Sequence, residues 1–319
     1  MRVSPVPAAA YTREFLRLEG NPLMRIMPFL LMALACASTP ASASDDYRQS
    51  IEAWQAKREA SLRKPDGWFS YAGSGIVNLG RSTIGSASNN TIVLPKGPAR
   101  LGTLTVNKAG VAKFRAERGS GATIDGKPVK GKVILRDNVD GAMPTRVYAG
   151  DAWFYLVRMG DVIGWRFRDP DSPALKAFNG IERFPIDPSW RIEADWQPYD
   201  PPHEIELVTI INTLEKAPVP GKAVFERDGR RFELEPVLED DGTLFFIFAD
   251  QTSGKETYGA ARFIYSQPAE DGKVVIDFNK AFNPPCALSP HVVCPTAPPG
   301  NRLALRITAG EKRYHSPVD

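Results

Sequence analysis

The sequence predicts an all-β protein of two lobes behind one N-terminal helix: a β-sandwich, then a barrel-like antiparallel β domain. Three observations predict it. Beyond Asp66, helical periodicity gives way to short apolar runs punctuated by Gly, Asn, Asp and Pro. Asp-Gly pairs at 228–229, 241–242 and 271–272 lie between strand-like runs, at places where tight hairpins need the positive φ that these residues tolerate. A proline-rich seam over residues 169–202 divides the two β-rich halves.

Residues 27–36 (MPFLLMALAC) form an apolar run of signal-peptide length, too short to span a bilayer. Arg25 precedes it, and Ala41-Ser42-Ala43 supplies a small-x-small cleavage pattern before Asp45 and Asp46. The expectation is a signal peptide over residues 1–43, with Met24 as the more ordinary start and a periplasmic or secreted address. A lipid anchor at Cys36 is the competing reading, although Leu34 sits one position too close to it for the usual pattern. The leader holds four Arg and two Glu, which leaves 36 basic and 35 acidic residues in the mature chain, a net charge near +1. Interspersed charge of that size excludes a nucleic-acid or anionic-membrane role, and no later run is long and apolar enough to cross a bilayer.

Residues 45–64 read as one amphipathic helix, with Tyr47, Ile51, Trp54 and Leu62 near the spacing of a single face. The expectation is that this face docks on the first β lobe, residues 65–168. Within that lobe, a strand running into Ile84-Gly85-Ser86, the Asn89-Asn90 turn before Ile92-Val93-Leu94 and the later Asp125-Gly126 turn resemble a forkhead-associated domain. That resemblance implies a β-sandwich. Ser86 stands where phosphothreonine-binding members carry Arg, the loop Pro95–Gly102 has no Ser-x-x-His, and Asp125 replaces an Asn. The resemblance therefore implies the fold without phosphopeptide binding.

The connector 169–202 is expected to be ordered, with a short helical turn near Pro173–Phe178. Its prolines argue against long helices and central strands. Arg168-Asp169-Pro170-Asp171-Ser172 reads as a turn capped by its own Asp side chains. From His203 to Asp319 the hairpins build the barrel-like domain, and Leu244–Phe248 (LFFIF), apolar on both faces, should be a covered central strand.

The motifs Arg183-Phe184-Pro185, Tyr199-Asp200-Pro201-Pro202, Thr252-Ser253-Gly254, Asp277-Phe278-Asn279-Lys280-Ala281-Phe282-Asn283-Pro284-Pro285-Cys286 and Ala309-Gly310-Glu311-Lys312 are similar to those of the domain of unknown function 1684 family. The resemblance covers about residues 60–312 and brings no established reaction. Gly300 stands where that family usually has Glu.

Candidate binding residues are Asp250, Thr252, Tyr258, Arg262, Asp277, Asn279, Asn283, Asn301, Glu311 and Lys312, several at strand ends where loops gather at a barrel mouth. Strand alternation puts Arg262 and Ile264 on one side of their strand, opposite Phe263 and Tyr265, and gives Asp277 and Asn279 a shared face opposite Phe278; with that face inward, Arg262 and Asp277 would pair in a pocket. A structural polar network is the competing reading. Cys286 and Cys294 leave three readings open. A disulfide is the default in an oxidising compartment, and closing its nine-residue loop would stabilise by about 2.5 kcal/mol on the chain-entropy model. With His291 they would offer three metal ligands, and as free thiols they would include a nucleophile. The expectation is the disulfide, with no metal and no cofactor. The partner would be an unidentified small molecule or protein, bound by a non-catalytic module. The alternative is a hydrolase-like enzyme using Cys286 or a metal with Asp250 and Asp277.

Overall fold

The computed structural model describes residues 43–139 and 143–318. Of the expected signal peptide only its last residue, Ala43, is among the described residues, and Cys36 lies outside them. Among the described residues no helix is long and apolar enough to cross a membrane.

The first helix, α1, spans Ala43–Leu62, with Asp45 and Asp46 complementing the macrodipole in its first turn. Its interior lacks Gly and Pro, and Pro65 lies just beyond its end. Ile51, Arg58 and Leu62 share one buried face. Burying Ile51 and Leu62 contributes about 1.5–3 kcal/mol each. That face does not dock chiefly on the first lobe as expected. Tyr47 bonds to Asp277 and Arg58 to Glu311, both in the C-terminal half, while Leu62 joins Phe178, Ile181 and Leu288. Burial of an arginine on the apolar face explains the difference, because α1 must lie where that cation meets a carboxylate.

The first lobe is two facing sheets. One contains β1 (Tyr71–Ile76), β6 (Thr123–Ile124), β7 (Lys127–Pro128), β9 (Val147–Ala149), β10 (Ala152–Met159) and β11 (Val162–Arg168), in the order β1-β11-β10-β9-β6-β7. The other contains β2 (Gly80–Gly85), β3 (Ile92–Val93), β4 (Gly102–Val106), β5 (Ala112–Ala116) and β8 (Lys132–Leu135), in the order β3-β2-β4-β5-β8. Ile84, Leu104 and Phe114 of the second meet Phe154, Leu156 and Phe167 of the first in one core. Residues on β10 alternate: Phe154 and Leu156 face that core, whereas Trp153 and Tyr155 face the second lobe. The first sheet is therefore covered on both faces, and the lobes share an apolar seam.

After β11, Asp169 accepts from the Asp171 N–H, and Ser172 caps the five-residue helix α2 (Pro173–Ala177). This is the self-capped turn expected. The next strand, β12 (Arg191–Val208), departs from expectation by running through Pro198, Pro201 and Pro202. It lies between β18 (Lys273–Asp277) and β13 (Leu214–Arg227). The prolines are accommodated because β18 pairs only with Arg191–Asp195, and pairing with β13 breaks register between Pro198 and His203.

Asp228 and Gly229, both at positive φ, turn β13 into β14 (Arg230–Leu234), as expected. Gly242 serves the turn from β15 (Val237–Leu238) to β16 (Leu244–Phe248). Asp271 and Gly272 also make a positive-φ turn, but β17 (Arg262–Ser266) pairs with β16 while β18 pairs with β12. That turn changes sheet rather than closing a hairpin. All of β16 is buried, central between β15 and β17 as its two apolar faces predict. The sheets curl as a half-barrel around Phe225, Phe232, Phe246, Phe248, Ile264 and Phe278. Its interior is a filled apolar core.

Candidate functional site

The ten candidate residues do not converge on one pocket; they fall into several separate groups. In the first, Asp250 accepts from Thr252 Oγ1 at 2.8 Å, from the Ile307 N–H at 2.8 Å and from Arg262 at 3.2 Å. Arg262, 1% exposed, also donates to the carbonyls of Ile307 and Ala309, and Thr252 exchanges a bond with Thr257. Burial pushes the Arg262 guanidinium below its ordinary value, against the pull of Asp250. Arg262 thus pairs with Asp250 and not with Asp277, because β18 turns Asp277 away from the half-barrel core while β17 turns Arg262 toward it. The group latches the C-terminal segment onto the half-barrel.

In the second group Asp277 caps its own 3-10 turn through the Asn279 N–H and accepts from the Tyr47 hydroxyl at 2.9 Å. Burial, then the Asp277 carboxylate, hold the Tyr47 hydroxyl well above its ordinary range. Asn279 donates to Tyr47 and to the Asp187 carbonyl and accepts from the Asp187 N–H. Tyr47 and Asp187, absent from the sequence-derived set, complete this group.

The third group centres on Glu311, fully buried, which takes a bidentate fork from Arg58 and bonds to the backbone N–H of Asn283 at 2.7 Å. The Asn283 side chain donates to Glu311 and to the Lys312 carbonyl. Arg183 reaches Glu59 at 2.6 Å and Glu311 at 3.7 Å. Gly310 explains its motif: its φ is +78°, and a Cβ there would lie 2.5 Å from the Ala281 carbonyl oxygen. Two residues stand outside these groups. Asn301 reads both backbone groups of Glu235 and the Ile247 carbonyl. Lys312 sits over the Phe184 ring and 3.8 Å from Glu182. Arg58 carried a sequence signal of its own, a cation on the apolar face of an amphipathic helix.

Tyr258 belongs with the cysteines. Cys286 and Cys294 are free thiols, with the Cys286 N–H directed at Cys294 Sγ at 3.2 Å. Burial raises the Tyr258 hydroxyl above its ordinary value, with Cys286 beside it adding to the shift. His291 Nδ1 is 3.1 Å from Ser74 Oγ, and burial lowers its pKa, with Arg166 adding to the shift. Among the described residues no three His, Cys, Asp or Glu side chains cluster as metal ligands would.

An open cleft lies on the outer face of the half-barrel, with a volume of about 600 Å³. Arg191, Glu193, Tyr265, Gln267, Asp277 and Lys280 contribute to its lining. Register explains the convergence: Arg191 pairs directly with Asp277 across β12 and β18, and Lys280 follows in the 3-10 turn. Tyr265 is held between the rings of Phe245 and Phe282, stacked at 4.7 and 5.9 Å. Lys273, at the rim, is paired with Asp195 at 2.5 Å. Of the ten candidates, Asp277 alone lines this cleft.

Residues 176–312 match the family described as protein of unknown function (DUF1684), and through this segment the chain belongs to that family. The matched segment starts in α2, later than the resemblance suggested, and takes in the half-barrel and the polar groups apart from Tyr47, Arg58 and Glu59, which α1 supplies. An uncharacterised protein of Haloarcula marismortui, solved by solution NMR, is 30% identical over 43% of this chain and 78% of its own length, at a TM-score of 0.37. No curated protein matches the chain.

Proposed function

We propose that the protein is a binding module whose outer cleft takes a small polar molecule carrying both charges, such as an amino acid or a betaine. The observation that supports this most is the chemistry of the cleft. Cationic Arg191 and Lys280 flank the carboxylate of Asp277, with Glu193, Gln267 and the ring of Tyr265 in the same lining. Such a wall offers a fork for a ligand anion, the Glu193 carboxylate for a ligand cation and an apolar ring between them, while Asp277, held by Tyr47, positions the wall. The export signal in residues 24–43 supports a periplasmic or secreted address. The first lobe, with its forkhead-associated resemblance but no phosphothreonine residues, serves as a scaffold covering the other side of the shared seam.

A hydrolase using Cys286 with Asp250 and Asp277 finds no support in the geometry. Asp250 is committed to Arg262, Asp277 to Tyr47 and His291 to Ser74. The test is a thermal-shift and ligand-observed NMR screen of amino acids and betaines against the full chain and its Arg191→Ser/Lys280→Ser variant. The expected result is one saturable ligand class whose signal is lost in the variant, while the unliganded melting temperature is unchanged. Absence of any saturable ligand, or binding that survives the double substitution, defeats the proposal.

A further inference from the structure

The thiol pair lies apart from the cleft, in the proline-rich strap that follows Asn283. Cys286 is the middle residue of the short 3-10 turn Pro285–Ala287, partly exposed, whereas Cys294 is fully buried among the apolar side chains of the seam between the lobes. The Cys286 N–H donates to Cys294 Sγ at 3.2 Å, which brings the two residues together, and the Tyr258 hydroxyl lies beside Cys286. The bond from Cys294 draws the Cys286 thiol below its ordinary value, helped by Tyr258 and by the backbone N–H groups of Cys286 and Ala287. Burial drives the Cys294 thiol the other way. The pair is therefore asymmetric. The thiol held below its ordinary value belongs to the partly exposed residue, and the fully buried cysteine stands behind it. A structural disulfide needs no such division, whereas a dithiol that cycles does, because a thiolate attacks and a second thiol closes the bond.

We infer that Cys286 and Cys294 form a redox-active dithiol site, with Cys286 the sulfur oxidised by hydroperoxides and Cys294 the thiol that resolves it. The Cys286 thiolate attacks the distal oxygen of ROOH and breaks the O–O bond; the departing alkoxide takes a proton, leaving Cys286 as sulfenic acid and releasing ROH. Cys294 sulfur then displaces the sulfenic hydroxyl as water, forming the disulfide. A dithiol reductant reverses it by exchange.

The strap makes this oxidation structural. His291 touches Ser74 of the first lobe, and the Cys294 and Val208 carbonyls accept from the Ile210 and Thr296 N–H groups at the β12–β13 hairpin. Oxidation ties the strap ends together at a point that joins the first lobe to that hairpin.

The experiment treats the reduced full chain with equimolar hydrogen peroxide, followed by mass spectrometry, native alkylation by iodoacetamide and trapping with dimedone. The wild type is expected to lose the Cys286 and Cys294 thiols and two hydrogens of mass, with Cys286 alkylating before Cys294 and Cys36 followed in its own peptide. Cys294→Ser is expected to stop at a dimedone adduct on Cys286, and Tyr258→Phe to slow Cys286 alkylation about tenfold, the loss of one charge-assisted hydrogen bond. Equal alkylation rates at the two cysteines of the native wild type overturn the inference without reference to any variant. Cys286 and Cys294 both remaining free after peroxide in the wild type, or no Cys286 adduct in a folded Cys294→Ser protein, overturn it as well.

Discussion

Replacing Asp250 by Asn tests whether the Asp250–Arg262 group is a structural latch. The substitution keeps the shape of the side chain and removes its charge. Asn can still accept from the Ile307 N–H, now 2.8 Å from the carboxylate, but the Arg262 guanidinium, 1% exposed, loses its counter-ion. Leaving one member of a buried pair uncompensated costs about 3–5 kcal/mol, and the retained backbone bond points to the lower end, about 3 kcal/mol. At roughly 2–4 °C per kcal/mol for chains near this size, the melting temperature should fall by about 6–12 °C. The assay is urea denaturation followed by tryptophan fluorescence, run also on Arg262→Met and on the double variant. The double variant should be less damaged than the sum of the singles, with a coupling above about 1 kcal/mol. Ligand binding by the folded fraction should be untouched, since neither residue lines the cleft. An Asp250→Asn loss below about 0.5 kcal/mol, or strict additivity, would refute the latch.

Two further predictions follow from the same geometry. Burial raises the Glu215 carboxyl above its ordinary range, so the folded chain holds that proton more tightly than the unfolded one. Its contribution therefore favours folding at low pH and is lost as pH rises from the ordinary carboxylate range, near 4.3, through the raised folded value; Glu215→Gln should abolish that slope in urea midpoints measured across this window. Tyr47→Phe removes the hydroxyl shared by Asp277 and Asn279. It should cost about 1 kcal/mol and speed amide hydrogen exchange in the first turns of α1, and unchanged exchange there would contradict the docking role assigned to Tyr47.

Legibility in the sequence tracked distance along the chain. The Asp228-Gly229 hairpin, the capped Asp169–Ser172 turn, the α1 face and the covered LFFIF strand are each encoded within a few residues, and each formed as read. The long β12 was misread because proline was weighed without its neighbours. Its tolerance depends on where β18 stops pairing. Strand alternation put Arg262 opposite Phe263 on β17 as read, but the inward pairing of Arg262 with Asp277 did not form, because which carboxylate Arg262 would meet was not readable.

By itself the sequence determined the all-β class, the turns, the membership of residues 176–312 in their family and the polar residues worth inspecting. Only the tertiary structure decided the partners of those residues. Arg58 and Glu311 lie 253 positions apart, and Tyr47 and Asp277 lie 230 apart. The physical reason is that a buried charge must be matched by whatever group the packing brings to it. Pairing follows from how α1, the connector and the half-barrel close on one another, and no local pattern encodes that closure.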